Sequence, residues 1–237
     1  MNLVVRSILA ALLSLIVAGQ ASAHHLWLER DGETVELYFG EFGENLREVS
    51  PGLLDKLEPK ARTVSPTGEK ALTLARTPKA FALSGPLAAG DSVIAEDPRY
   101  PIHVGTRDGV TRRSMYWPAA RLAASGAAPQ PVLTLDVVPA GGDKFRVFFR
   151  GKPLTKAKVE VMAAFGWGKE TRTDEEGTIS IALPWRGLYA LEVHHTDTVA
   201  GKRGEEAYDV ANYVTTLTLV QPEGMAMPPL PPPAKPN

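Results

Sequence analysis

From Val132 to Val220 the chain is a succession of short alternating segments, each cut off by a turn signal before a helix could form. The segments are Val132 to Val138, Lys144 to Arg150, Ala157 to Ala163, Glu170 to Thr173, Thr178 to Leu183, Leu188 to His194 and Asn212 to Val220. Gly141-Gly142-Asp143 and Asp174-Glu175-Glu176-Gly177 supply turns between them. Residues two apart share a face in a strand, so each segment except Glu170 to Thr173 has one apolar and one mixed face. Segments of this kind can bury their apolar faces only against one another. The reading is an all-β fold whose second half is an Ig-like or transthyretin-like sandwich.

The first half follows the same rule less regularly. His24 to Glu29, a turn at Asp31-Gly32 and the alternating run Thr34 to Phe39 predict a hairpin. Gly40 to Gly52 reads as a polar loop; its Glu41, Glu44 and Glu48 could bind a cation, but the reading preferred is a solvated acidic face. Leu53 to Leu57 and Pro118 to Leu122 read as single helical turns, the latter with Pro at its start. Between them lie β-like runs at Ala61 to Ser65, Ala71 to Arg76, Lys79 to Leu83 and Ser92 to Ala95. Ala123 to Pro131 has small residues and prolines only, which places a boundary there. The expected organisation is a signal peptide at 1–23, a β-rich domain at 24–122, a β-sandwich domain at 132–220 and a solvated, disordered Pro-rich tail at 222–237.

Arg6, the apolar stretch from Ile8 to Ala18 and the A-x-A site Ala21-Ser22-Ala23 are the three parts of a secretory signal. The apolar stretch is about half the ~20 residues that span a bilayer. The expectation is therefore export, cleavage after Ala23, and a mature chain that starts at His24 and does not insert into a membrane. The chain has no Cys, which removes thiol catalysis, thiolate metal sites, disulfides and a lipid-anchored N-terminus. With 26 Lys and Arg against 27 Asp and Glu, it lacks the basic excess of a nucleic-acid binder. No G-x-S-x-G, S-x-x-K or phosphate-binding glycine loop occurs, so the reading is a binding protein rather than an enzyme.

The five histidines fall at three places: His24-His25, His103 and His194-His195. Random placement gives roughly 0.1 adjacent pairs in a chain of this composition, and two occur. After cleavage His24 offers an α-amine and an imidazole, which lose their protons near pH ~8 and ~6.5 and can chelate one ion. His194 or His195 would add nitrogen donors, with Asp197 as an oxygen ligand or an acceptor fixing an imidazole tautomer. His103 is a further candidate. Such a set suits divalent nickel, cobalt or copper, or zinc. Adjacent residues of a strand point to opposite faces, so each pair gives at most one ligand to a shared site. Trp117, Trp185, Tyr116 and Tyr189 read as core or interface packing, and Met225 and Met227 as tail residues.

Gly151-Lys152-Pro153-Leu154, Ala157 to Val161 and Thr173 to Gly177 resemble the repeat of carboxypeptidase-regulatory-like β-sandwiches. The mature start His-x-x-Trp-Leu-Glu, then Pro184-Trp185-x-Gly187-Leu188-Tyr189 and His194-His195-x-Asp197, resemble a family of exported bacterial proteins. Its members are described as periplasmic components of cobalt or nickel uptake systems. The resemblance implies a periplasmic protein that binds a transition metal for uptake or handling, with an inner-membrane transport system as partner. Two other classes stay open at this point. One is an exported interaction module without metal. The other is an oxidoreductase holding copper between an amino-terminal His and a second His.

Overall fold

A computed structural model describes residues 24–88, 90–123 and 130–236. The expected signal peptide at 1–23, and residues 124–129 of the expected linker, lie outside the described residues. Among the described residues the regular structure is β-strand, broken by two 3-10 turns at Phe42–Glu44 and Leu53–Lys56. The all-β reading holds, and each segment named above for the second half contains a strand.

The large sheet runs in the order His25–Asp31, Thr34–Glu41, Phe81–Ser84, Gly68–Arg76, Lys60–Ser65, Ser92–Glu96, Val110–Leu122, Val210–Gln221, Trp185–Asp197, Lys158–Ala163 and Gly168–Arg172. All its neighbours along this path pair antiparallel except Val110–Leu122 with Val210–Gln221, which are parallel and join the two halves of the chain. A smaller sheet, Leu135–Pro139, Lys144–Phe149 and Lys152–Pro153 with Thr178–Ser180, covers one face of the later strands. Between them lies a core that includes Val137, Val147, Val161, Leu191 and Leu217.

The early strands curl so that His25–Asp31 packs across Val110–Leu122 and Val210–Gln221. A second core fills the curl, with Leu26, Leu28, Leu37, Phe39, Leu83 and Leu122 among its members. Two threonine hydroxyls fix the crossing: Thr216 donates to the Leu26 carbonyl at 2.7 Å and Thr218 to the Leu28 carbonyl at 2.6 Å. Both hydroxyls are buried, so each bond also satisfies a polar group that would be costly unpaired.

Three expectations change. Pro118 to Leu122 is not a helical turn but the end of the strand Val110–Leu122. Ala119 to Leu122 pair with Ser92–Glu96 on one side and with Val210–Gln221 on the other, and Ala120 and Leu122 are buried. Two ladders and core burial outweigh the helix propensity of the alanines. Pro118, which has no N–H, offers its carbonyl to the Asp97 N–H at 2.9 Å. The acidic loop is not uniformly solvated either: Glu48 is fully buried and Glu41 is 8% exposed, while Glu44 faces solvent. The Pro-rich tail is mostly exposed, as expected, yet it is tied down. Met225–Ala226 pairs with Trp185–Asp197, Asn45 donates to the Pro231 carbonyl, and the Met227 side chain meets Gly187.

Gly40 allows the first hairpin to turn into the acidic segment. Its φ is +144°, and a Cβ there would lie 2.2 Å from the Leu46 carbonyl oxygen. Both the strain and the clash are with backbone, which cannot rotate away. Gly40→Ala should therefore cost at least ~2 kcal/mol of stability by urea unfolding; a change within ~0.5 kcal/mol would contradict this close approach.

Candidate metal centre

His24 enters the first strand at the mouth of the curl. The Tyr116 hydroxyl, buried and held protonated by that burial, donates to the His24 carbonyl and pins the backbone there. The imidazole leans on Phe39, with ring centroids 5.3 Å apart. Two carboxylates address its two nitrogens. Nε2 is 2.5 Å from Glu48 Oε1, and Nδ1 is 3.6 Å from Glu41 Oε1.

Both carboxylates come from one local device. Thr34–Glu41 ends at Glu41, a 3-10 turn follows, Asn45 takes the left-handed conformation with φ 52°, and Leu46–Arg47 pairs back onto Gly40 and Glu41. The Glu48 N–H donates to the Phe39 carbonyl at 2.8 Å, which turns the Glu48 carboxylate under the first strand.

His25 points the other way, as alternation along a strand requires. Its Nε2 accepts the Phe42 N–H at 3.2 Å, which leaves the ring proton on Nδ1, 3.1 Å from Glu192 Oε1. His194 Nε2 reaches the same oxygen at 2.5 Å. Glu192 is 7% exposed. Burial pushes its carboxyl up, but the two imidazoles outweigh that and hold it down at about 2.

The five residues singled out from the sequence do not converge. His24 sits with Glu41 and Glu48, and His194 with Glu192. His195 lies on the opposite sheet face, its ring 4.2 Å from that of Phe149, and burial lowers its pKa. Asp197 is held by the Arg150 guanidinium at 2.9 Å. His103 is exposed at the start of the strand His103–Arg107. Among the described residues no group of three or more His, Cys, Asp or Glu side chains is arranged to hold a metal ion. Glu41 and Glu48 lie on opposite edges of the His24 ring, so three side chains there do not surround one point. A complete centre at His24 needs a donor that is not a side chain.

Sequence reasoning set Glu41 and Glu48 aside as solvated and missed Glu192. Glu192 carried a signal: it interrupts the apolar run Leu188 to Val193 at a position whose neighbours two residues away are Ala190 and His194. The burial of Glu41 and Glu48 carried none, because it depends on where the crossing strand lands.

Of the aromatic residues, Trp117 donates to Glu96 at 3.1 Å and packs on Tyr213, and Trp185 packs between Phe165 and Trp167. Trp27, stacked on Tyr38, lines a cavity of ≈ 210 Å³ with Arg47 and Leu188, bounded also by Met227 and Leu230 of the tail.

Residues 131–197 match a family described as a domain of unknown function (DUF4198). The match takes in His194, His195 and Asp197 and stops short of His24, Glu41 and Glu48. No curated protein and no solved structure matches the chain.

Proposed function

We propose that this is an exported protein that binds a divalent transition-metal ion, through the amino-terminal His24 created by cleavage after Ala23, and serves uptake or handling of that ion. The observation that carries the reading is the His24 imidazole clamped between Glu48 and Glu41, with its backbone pinned by Tyr116. Cleavage adds an α-amine to this ring, and amine plus imidazole close a chelate on one ion. That amine is the non-side-chain donor the side-chain geometry calls for. Among the described residues no helix is long and apolar enough to cross a membrane. The resemblance to periplasmic components of cobalt or nickel uptake systems supports nickel or cobalt as cargo and an inner-membrane transporter as partner. Nitrogen donors alone rank copper above both.

Calorimetric titration of the chain beginning at His24 with Ni(II), Co(II), Cu(II) and Zn(II) should show one site tighter than ~10 μM, which is about −6.8 kcal/mol. The same chain acetylated on its α-amine has an amide in place of the amine and should bind at least ~100-fold more weakly. Equal binding by both chains removes the special role of His24. No binding by either leaves the second reading, an exported β-sandwich module that docks a partner without metal, in keeping with the lack of a side-chain ligand group among the described residues.

A further inference from the structure

We infer that Glu41 is the third donor of the His24 centre and that Glu48 is a positioning residue, so that the centre offers two nitrogens and one carboxylate to a divalent first-row ion. This rests on the reading just proposed and assigns its ligands.

The two contact lengths separate the roles. Ligands about 2.0–2.2 Å from one ion at tetragonal or tetrahedral angles are themselves about 3.0–3.4 Å apart. Nδ1 and Glu41 Oε1 are 3.6 Å apart, within a few tenths of that spacing, and a carboxylate can close the gap by rotation. Nε2 and Glu48 Oε1, at 2.5 Å, are too close to share an ion and are at hydrogen-bond length. A proton on Nε2, held by Glu48, turns the Nδ1 lone pair toward Glu41. This is the carboxylate–histidine arrangement that orients metal-bound imidazoles and raises their basicity.

The α-amine and Nδ1 of one His close a six-membered chelate ring, so the ion must sit on the Nδ1 edge, the edge Glu41 faces. The charge count agrees: two carboxylates and one neutral imidazole match a divalent cation. Each part is held by a separate element. Tyr116 fixes the His24 carbonyl, the Phe39 carbonyl fixes the Glu48 backbone, and pairing with Leu46 fixes Glu41. Mixed nitrogen and oxygen donors select Cu(II) and Ni(II) over Mg(II) and Ca(II), which take oxygen sets.

The test uses the chain beginning at His24 and titrations with Ni(II) and Cu(II). Glu41→Gln keeps shape and loses the anionic donor; its affinity should fall ~10-fold or more. Glu48→Leu, which cannot accept from Nε2, should fall ~10–100-fold, while Glu48→Gln, whose amide oxygen still accepts, should return close to the parent. Electron paramagnetic resonance of the Cu(II) form should keep the same nitrogen couplings in Glu41→Gln, since both nitrogens come from His24. Circular dichroism melts of the metal-free variants check that each is folded. If Glu48→Leu is unfolded, Glu41→Gln and Glu48→Gln still decide. A parent that binds while Glu41→Gln binds within ~2-fold of it overturns the assignment and leaves the proposed function standing. A parent that binds nothing overturns both.

Discussion

Asp136→Ala should lower the unfolding free energy by about 3–5 kcal/mol, the cost of leaving one member of a buried ion pair without its partner. Arg121 and Asp136 are both 0% exposed. The guanidinium donates from Nε to Oδ1 at 2.9 Å and from Nη2 to Oδ2 at 2.6 Å, a two-point fit that a lysine could not reproduce. The carboxylate also accepts the N–H groups of Val132 and Leu133 at 2.8 and 3.0 Å, and Arg121 donates to the Gln130 carbonyl at 3.2 Å. The pair therefore fixes the point where the chain leaves the large sheet and begins the smaller one. Removing the carboxylate strands a buried cation and two backbone donors together, one of them buried. The loss should appear in urea unfolding as a lower midpoint with an unchanged slope. The double variant Arg121→Met with Asp136→Leu should recover the part due to the unpaired guanidinium, while the Val132 and Leu133 N–H groups stay without the carboxylate. A single variant within ~1 kcal/mol of the parent would show that water reaches the guanidinium and that the pair is not the fastener described.

How much of this could be read beforehand depends on whether a feature is local. The hairpin at Asp31-Gly32 was legible because a turn dipeptide sits between two alternating runs, and the register Asp31 with Thr34 follows from it. The strands of the second half were legible for the same reason. The long strand Val110–Leu122 was not, because Arg112, Arg113 and Pro118 hide its alternation and its parallel partner is about a hundred residues away. At the candidate centre, His24 was legible through the cleavage argument alone. The opposite facing of His194 and His195 followed from strand alternation, and the structure places them on Glu192 and Phe149 respectively. Glu41 and Glu48 read as solvent-facing because acidic side chains in a Gly-rich loop usually are. Their burial is decided by the first strand crossing the parallel pair, a long-range event with no local pattern.

Glu192 fastens the strand that carries His24 to the centre of the large sheet, and it makes stability depend on acid in a stated direction. With its folded value held at about 2, against 4.5 for the unconstrained carboxyl, its contribution is fully present above pH 4.5. It is lost as the pH falls from 4.5 to about 2, because the unfolded state then binds the proton first. That shift corresponds to roughly 3 kcal/mol at neutral pH. Glu192→Gln should therefore be less stable than the parent by about that amount at pH 7, with the gap closing as the pH approaches 2. His195 adds an earlier loss common to both proteins: burial lowers its pKa, so stability falls as the pH drops below 6.5 and the unfolded imidazole protonates first. The difference between parent and variant isolates Glu192 from that background. Urea unfolding at a series of pH values between 7 and 2 measures it directly. A gap that stays constant through this range would mean that the His25 and His194 contacts stabilise the carboxyl form as well as the carboxylate. In that case Glu192 would act as a hydrogen-bond bridge rather than as a charge between two imidazoles.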